Sequence, residues 1–377
     1  MTEHYSRRTF VKQMGKVGLG IGVSGLSGYA KPKGSGEDSL SAVIRNYNSS
    51  MSYREVGTSG IQVSAFSIGT GKTSLEILNA GLDRGINLFH TSTKYSLGQS
   101  IKHVAKAIKN RTDKVHIALK DNFSSLDKAL KILGVKQVDF IMYNRHNAKE
   151  LRKEMPDIKK SFLEWRDKGL VKYAGLTTHK QIGACLDVAL KEDFFACLMP
   201  SMGPNLFTEL KPQREAMRKK QISIIAMKTK GELETAEYPG QIAKVLSDPV
   251  IATINKGVGS LEDLETWSLA ASRIKTGFLL RRLNGHLAGS RPYTGCGLCG
   301  RCEDACPNGV AAADIIRCIR YYHDAEQAPD MAAWEFNELR AGRSIMNCRQ
   351  CGSCEAACPQ RIPVRSEIMR AKNKWHG

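Results

Sequence analysis

Acidic residues are scarce in this chain of 377 residues: 37 Asp and Glu face 56 Lys and Arg, for a formal net charge of +19. Aromatic residues make up only 7%, and no cysteine precedes Cys185. Each shortage excludes something. The basic residues are scattered, with no arginine-rich arm and no aromatic–basic pattern of an RNA-binding sheet, so the charge does not read as a nucleic-acid surface. Cysteine confined to one part of the chain rules out a general disulfide framework. The stretch from Gln13 to Ala30 is too short and too rich in glycine to read as a membrane span. What remains is ordinary soluble composition, 42% hydrophobic and 25% charged, with enough length for two or more domains.

Nine of the eleven cysteines lie between Cys296 and Cys358. Cys296, Cys299, Cys302 and Cys306 follow the spacing C-x2-C-x2-C-x3-C and lead into Pro307; Cys348, Cys351, Cys354 and Cys358 repeat it and lead into Pro359. Three closely spaced thiolates wrap one face of an iron–sulfur cluster, and Gly297, Gly300 and Gly352 suit such tight wrapping. Zinc held by the same thiolates is the alternative, although a zinc site needs only four paired cysteines. The repeat resembles two-cluster ferredoxins, which implies two [4Fe–4S] clusters. It also implies a crossed assignment: Cys296, Cys299, Cys302 and Cys358 on one, Cys348, Cys351, Cys354 and Cys306 on the other. The segments Ala311–His323 and Met331–Ala341 read as helices, so this domain is expected to be α-helical. Cys185, Cys197 and Cys318 have no partner at ligand spacing and read as small buried hydrophobes. With two clusters bound and residues 1–30 removed, the net charge falls to about +12, a level suited to docking an acidic redox partner protein.

The N-terminus reads Ser6-Arg7-Arg8-Thr9-Phe10-Val11-Lys12 ahead of the Gly-rich stretch, and resembles a twin-arginine (Tat) export signal. That resemblance implies a Tat translocase as partner, a periplasmic or other extracytoplasmic destination, and membrane contact only in transit through the signal. The Tat route carries folded, cofactor-loaded proteins, which an iron–sulfur protein needs. The expected organisation is a signal over 1–30, a polar linker over 31–50, a first globular domain over 51–285 and the cysteine-rich domain over 286–377.

Within 51–285, eight short apolar runs alternate with helical patterns: Ala65–Ile68, Ile86–Phe89, Val115–Leu119, Val138–Met142, Val171–Leu176, Phe194–Met199, Ile222–Met227 and Val250–Ile254. Parallel strands need crossover helices, and eight such units close into an α/β fold of the (β/α)8 TIM-barrel type; an open doubly wound sheet is the rival. Tyr53–Val56 and Ile61–Val63 flank Gly57-Thr58-Ser59-Gly60 and predict a hairpin capping one barrel end. Gly69-Thr70-Gly71-Lys72-Thr73 imitates a phosphate-binding loop, but Phe66 stands where the first glycine of that motif belongs.

Tyr53–Ser64, Ala80–Phe89 and Gly169–Leu176 resemble the opening hairpin, second-strand motif and later strand of aldo/keto reductases, over about residues 53–275; a barrel followed by cluster motifs is similar to the iron–sulfur branch of that family. The resemblance implies carbonyl reduction with NADPH by an Asp, Tyr, Lys and His at the strand ends. Tyr95 matches the proton donor and Lys120 the lysine; His90 stands at the aspartate position and Asn144 at the histidine position, with His146 two residues on. Thr177 and Thr178 stand where Ser-Asn would hold the nicotinamide amide, Leu198 or Met199 where a glutamine would lie, and Asp263 where a basic residue grips the adenosine phosphate. Lys228, Lys230 and Lys256 offer phosphate contacts at the barrel mouth or, equally, solvated rim charges.

Three functions follow from these residues. The first is an exported oxidoreductase that passes electrons between its clusters and a small carbonyl or hydroxyl substrate. The second is an NADPH-dependent reductase, and the third a barrel without catalysis that serves electron transfer or scaffolding.

Overall fold

The computed structural model describes residues 40–120, 125–231, 233, 237–272, 296–323, 329–339 and 341–375. The export-signal segment lies outside them. Strands β1 (Tyr53–Glu55) and β2 (Gln62–Ser64) form an antiparallel hairpin. Strands β3 (Phe66–Gly69), β4 (Leu88–Thr91), β5 (His116–Lys120), β6 (Val138–Asn144), β7 (Val171–Thr178), β8 (Phe195–Pro200), β9 (Ser223–Met227) and β10 (Ile251–Gly257) run parallel and close into a barrel, with β10 pairing both β9 and β3. All eight predicted strands are present, each end either as predicted or one to three residues further along the chain, and the open-sheet alternative is excluded by closure.

The strands read as largely apolar runs because both faces are covered. Inside the barrel lie Leu88, Ala118, Phe140, Met142, Cys197, Met199, Ile225 and Ala252, joined from below by Val56 and Val63 of the hairpin. The hairpin therefore plugs one end. Gly57 at its tip has φ +58°, and a Cβ there would sit 2.5 Å from the carbonyl oxygen of Ala196, so the turn requires glycine.

The helices of the barrel are α1 (Leu75–Asp83), α2 (Gln99–Ile108), α3 (Leu126–Leu133), α4 (Ala148–Asp167), α5 (Ile182–Ala189), α6 (Pro204–Glu209), α7 (Lys211–Lys220), α8 (Tyr238–Leu246) and α9 (Leu261–Ala270). Their starts follow local chemistry. Ser74, Asn147 and Ser260 accept hydrogen bonds from the first-turn amides of α1, α4 and α9.

Part of the segment read as a linker is structured. Ile44 is buried, the Arg45 guanidinium donates to the Val115 carbonyl at 2.8 Å, and Asn46 Nδ2 donates to the carbonyls of Leu82 and Ile86 at 2.7 and 3.1 Å. Its polarity serves the carbonyls left open where α1 ends and β4 begins.

The C-terminal domain holds α10 (Arg301–Asp304), α11 (Ala312–His323), α12 (Pro329–Asn337), α13 (Ser353–Ala356) and α14 (Val364–Trp375), with no strand among the described residues. Its core joins Ile315, Ile319, Phe336, Ile345, Val364 and Ile368. The two cysteine runs fold alike: Leu298 and Gln350 have φ of 54° and 56°, and Gly300 and Gly352 both have φ of 83° at the starts of α10 and α13. The sequence repeat is thus a repeat of backbone conformation. Cys185, Cys197 and Cys318 are fully buried, and burial pushes their thiols up to about 11, 12 and 12.

Candidate active site at the barrel mouth

The C-terminal domain sits over the strand ends opposite the hairpin. Lys180, just beyond β7, donates to Glu303 of α10 at 2.9 Å and to Asp314 of α11 at 2.7 Å, all three largely buried. Arg343 also pairs with Glu303, while Glu303 Oε1 accepts from the amides of Ala313 and Asp314 that open α11. At the opposite side Lys94 reaches Glu338 at 3.6 Å and lies 5.6 Å from the Trp334 ring centre. Between these contacts is a cavity with about 80 Å³ of room for the centre of a water-sized molecule.

His90, Tyr95, Lys120, Lys228 and Lys256 line this cavity, as do Gly69, Gly71 and Lys72 of the false phosphate loop. Tyr95 follows β4, on a turn where Ser96 and Leu97 take left-handed backbone angles, and Ser96 Oγ donates to the Gly71 carbonyl. Its ring stands edge-on to His90 with centres 5.9 Å apart, and Lys120 Nζ lies 5.1 Å from the ring centre. The two halves of the expected Tyr–Lys pair are therefore adjacent.

Their charge states follow from burial. The His90 ring is pushed down to about 3 by burial and then by the Lys120 charge, so it is neutral. Its Nε2 finds no hydrogen-bond partner among the described residues. The Tyr95 phenol is raised above its ordinary value by burial, with Tyr321 and Glu335 adding to the effect, and is held protonated. Burial lowers Lys120, while Glu335 and Tyr321 oppose that.

Other predicted residues are placed elsewhere. Asn144 ends β6 but does not line the cavity, and its Oδ1 lacks a partner among the described residues. His146 accepts at Nδ1 from the His179 amide at 3.0 Å, which makes Nδ1 the unprotonated nitrogen; burial pushes this ring down to about 3 as well. Thr177 and Thr178 are fully buried: one hydroxyl faces Met227 Sδ at 3.8 Å and the other donates to the Lys180 carbonyl at 3.0 Å. Neither lines the cavity, so a nicotinamide amide would have to find other partners. Asp263 takes the Ser260 hydroxyl at its amide in the first turn of α9, an acidic residue where a phosphate would need a cation. Lys256 is buried with Nζ 4.9 Å from the Trp267 ring centre, and Lys228 lies 3.7 Å from that of Tyr321. Cation–π contacts of this kind hold both lysines at the mouth.

Sequence reasoning missed four polar lining residues. His179 lies one residue past β7, and its position beyond a strand end was a usable signal. Asn255 near the end of β10 was available by the same rule. Tyr321 and Glu335 come from α11 and α12, and nothing in the barrel sequence points to them.

A second cavity adjoins the first, sharing His179, Lys228 and Tyr321 with it and reaching Lys230, Arg317, Arg320 and Cys296. Behind it the cysteines fall into two sets. One cavity is lined by Cys296, Cys299, Cys302 and Cys358, the other by Cys306, Cys348, Cys351 and Cys354, which is the crossed grouping. Within the sets, the amides of Leu298, Val310 and Ile362 each point to a thiol sulfur at 3.4 Å, on Cys296, Cys306 and Cys358. No three His, Cys, Asp or Glu side chains among the described residues converge on the position of a single ion. Four sulfurs that ring a cavity instead suit a cluster with ligands on separate irons.

The comparisons with known proteins agree with both halves. The aldo/keto reductase family matches residues 69–241, and a 4Fe-4S dicluster domain matches residues 295–362. Aldo-keto reductase YhdN of Bacillus subtilis is 37% identical over 84 residues, 19% of this chain and 25% of that protein, so the chain spans about a quarter of this relative's length. Among solved structures, aldo-keto reductase AKR11C1 of Bacillus halodurans in its holo form superposes with a TM-score of 0.55 at 16% identity, covering 64% of this chain and 98% of that one. The thermostable aldo-keto reductase Tm1743, in complex with the inhibitor epalrestat, gives 0.50 at 20% identity, with 62% and 100% covered. At such identities these likenesses concern the fold. The chain thus carries one segment that matches aldo/keto reductases and, after it, one that matches 4Fe-4S dicluster domains.

Proposed function

We propose that this chain is an oxidoreductase in which two [4Fe–4S] clusters exchange electrons with a small carbonyl or hydroxyl compound bound in the mouth cavity. One observation carries the reading: the cavity that holds Tyr95 and Lys120 continues past His179, Lys228 and Tyr321 into one that Cys296 lines. The clusters supply single-electron steps at potentials tuned by their surroundings. The chain's own residues do the rest. A carbonyl becomes a hydroxyl with two electrons and two protons: Tyr95, kept protonated, delivers the proton at oxygen, and water delivers the one at carbon. The Lys120 ammonium beside its ring stabilises negative charge that develops there. Neutral His90 positions the oxygen through its unpaired Nε2.

NADPH as the electron source is the second reading, favoured by the aldo/keto reductase likeness and disfavoured by the engaged hydroxyls of Thr177 and Thr178. Anaerobic titration of the cluster-loaded protein separates the two. Bleaching of cluster absorbance by NADPH would support the reductase; bleaching by dithionite alone, followed by reoxidation with small aldehydes or ketones, supports the cluster-fed enzyme. Clusters that neither NADPH bleaches nor any carbonyl reoxidises would sink both and leave an electron carrier.

Arg7-Arg8 directs export in this reading, tested by fractionating cells that express the Arg7→Lys, Arg8→Lys chain beside the unaltered one. The redox partner docks near Cys351, which is exposed and flanked by exposed Arg349, Arg361 and Arg365. Reduction by an acidic ferredoxin should slow in Arg349→Glu and as salt rises.

A further inference from the structure

We infer that Glu335, reaching the barrel mouth from the cluster domain, is the anionic positioning residue for the Tyr95–Lys120 pair, so that the site is complete only while the two domains are docked. Its catalytic meaning rests on the function proposed above; its electrostatic content does not.

The barrel alone leaves a charge unbalanced. The residue at the expected aspartate position is His90, which burial keeps neutral, so the barrel offers Lys120 no anion from that strand end. A partly buried ammonium needs a counter-charge or loses its proton. Among the described residues lining the cavity, the only carboxylate is Glu335. It is brought there by structure on both sides. Arg317 Nη2 donates to Glu335 at 2.9 Å, and Arg317 is itself buried against Asp314 at 3.4 Å and the Tyr321 hydroxyl at 3.5 Å. Glu335 lies on α12, and the flanking Trp334 and Glu338 hold Lys94, the residue next to Tyr95. The helix that delivers the carboxylate is thus fastened to the turn that carries the phenol.

The sign of the effect is consistent. Burial opposes ionisation of Glu335, but the Arg317 and Lys120 charges outweigh it, and its acidity is shifted so that it is an anion at neutral pH. That anion favours the ammonium of Lys120 against burial and the Arg317 and Lys228 charges, and it disfavours tyrosinate against the same two cations. Glu335 touches no reacting atom in this arrangement. Its part is to keep Lys120 charged and Tyr95 protonated, and to make both depend on docking.

Competitive acetylation tests this without turnover. Cluster-loaded protein is treated with acetic anhydride across a pH series, and acetylation of Lys120 is read by peptide mass spectrometry. In Glu335→Gln the midpoint of Lys120 labelling should fall by about one pH unit, and Glu335→Asp should restore most of it. An unchanged midpoint in Glu335→Gln overturns the inference, whatever the enzyme proves to reduce. A shifted midpoint in a protein that reduces no carbonyl would keep the pairing and remove the catalytic reading. Should Glu335→Gln fail to load clusters, Glu335→Met takes its place in the same labelling series: a lowered Lys120 midpoint supports the inference and an unchanged one overturns it.

Discussion

Replacing Lys180 by methionine should loosen the cluster domain from the barrel without unfolding either. Methionine keeps the buried stem and removes only the ammonium. That ammonium lies 2.9 Å from Glu303 and 2.7 Å from Asp314, and the side chains concerned are 6%, 7% and 13% exposed. Removing one member of a buried ion pair costs about 3–5 kcal/mol because the remaining charge is left without a partner. Here the lower end applies, since Arg343 still serves Glu303 and Arg317 still serves Asp314 at 3.4 Å. About 3 kcal/mol corresponds to an increase of roughly 150-fold in the population of the undocked state. Hydrogen exchange of the cluster-loaded protein reads this directly, in peptides from α11 and from the β7–α5 connection. Asp314→Asn added to Lys180→Met should recover part of the protection, because one orphaned charge is then removed. Acid should reproduce the loss. Asp314 is held below the ordinary carboxylate value, burial opposing and the Arg317 and Lys180 charges prevailing. Its contribution is therefore present above the unfolded carboxylate range and disappears as pH falls through the lowered value. Lys159, which meets a largely exposed Asp193 at 3.1 Å, is the control and should change nothing measurable when replaced by methionine. A protection change below about threefold in Lys180→Met would refute the argument that these carboxylates depend on Lys180.

Tyr95→Phe should keep cluster absorbance and lose about 10²–10⁴-fold in carbonyl reduction. A loss of less than about tenfold would count against Tyr95 as the donor. In electron paramagnetic resonance after dithionite reduction, Cys358→Ser should disturb the same signal as Cys296→Ser, and Cys306→Ser the same signal as Cys348→Ser. Pairing by sequence run instead would defeat the crossed assignment. His90 and His146 are neutral in the fold at about 3 against an ordinary 6.5, so stability should be full above pH 6.5 and decline below it, by about 1.4 kcal/mol per pH unit for each, visible in urea midpoints. Gly57→Ala should lower the thermal midpoint through about 1–3 kcal/mol of strain at φ +58° against the Ala196 carbonyl.

The barrel was legible because its signal is local. Strands buried on both faces must be largely apolar, and β3 to β10 are, with their buried polar residues as the exceptions. The cysteine sets were legible for a different reason: ligand spacing is dictated by the cluster, and the same backbone angles recur at Leu298 and Gln350 and at Gly300 and Gly352. Reading failed where a residue's partner is distant in sequence. Asn46 looks like linker polarity until Leu82 and Ile86 present their carbonyls to it. Thr177 and Thr178 look like cofactor ligands until Met227 and the Lys180 carbonyl occupy their hydroxyls.

The cavity residues make the same point about function. Judged within the barrel, a neutral His90 beside Lys120 looks like a reductase site that has lost its acid, which is the argument for a silent barrel. That argument assumes the site ends where the barrel does. With Tyr321 and Glu335 lining the cavity from α11 and α12, the carboxylate has moved to another domain. The domain that brings it also carries Cys296 to the adjoining cavity wall. A departure from a family pattern at one strand end is therefore weak evidence of lost chemistry whenever a second domain roofs that end. The decisive comparison is between the docked and undocked protein, not between His90 and an aspartate.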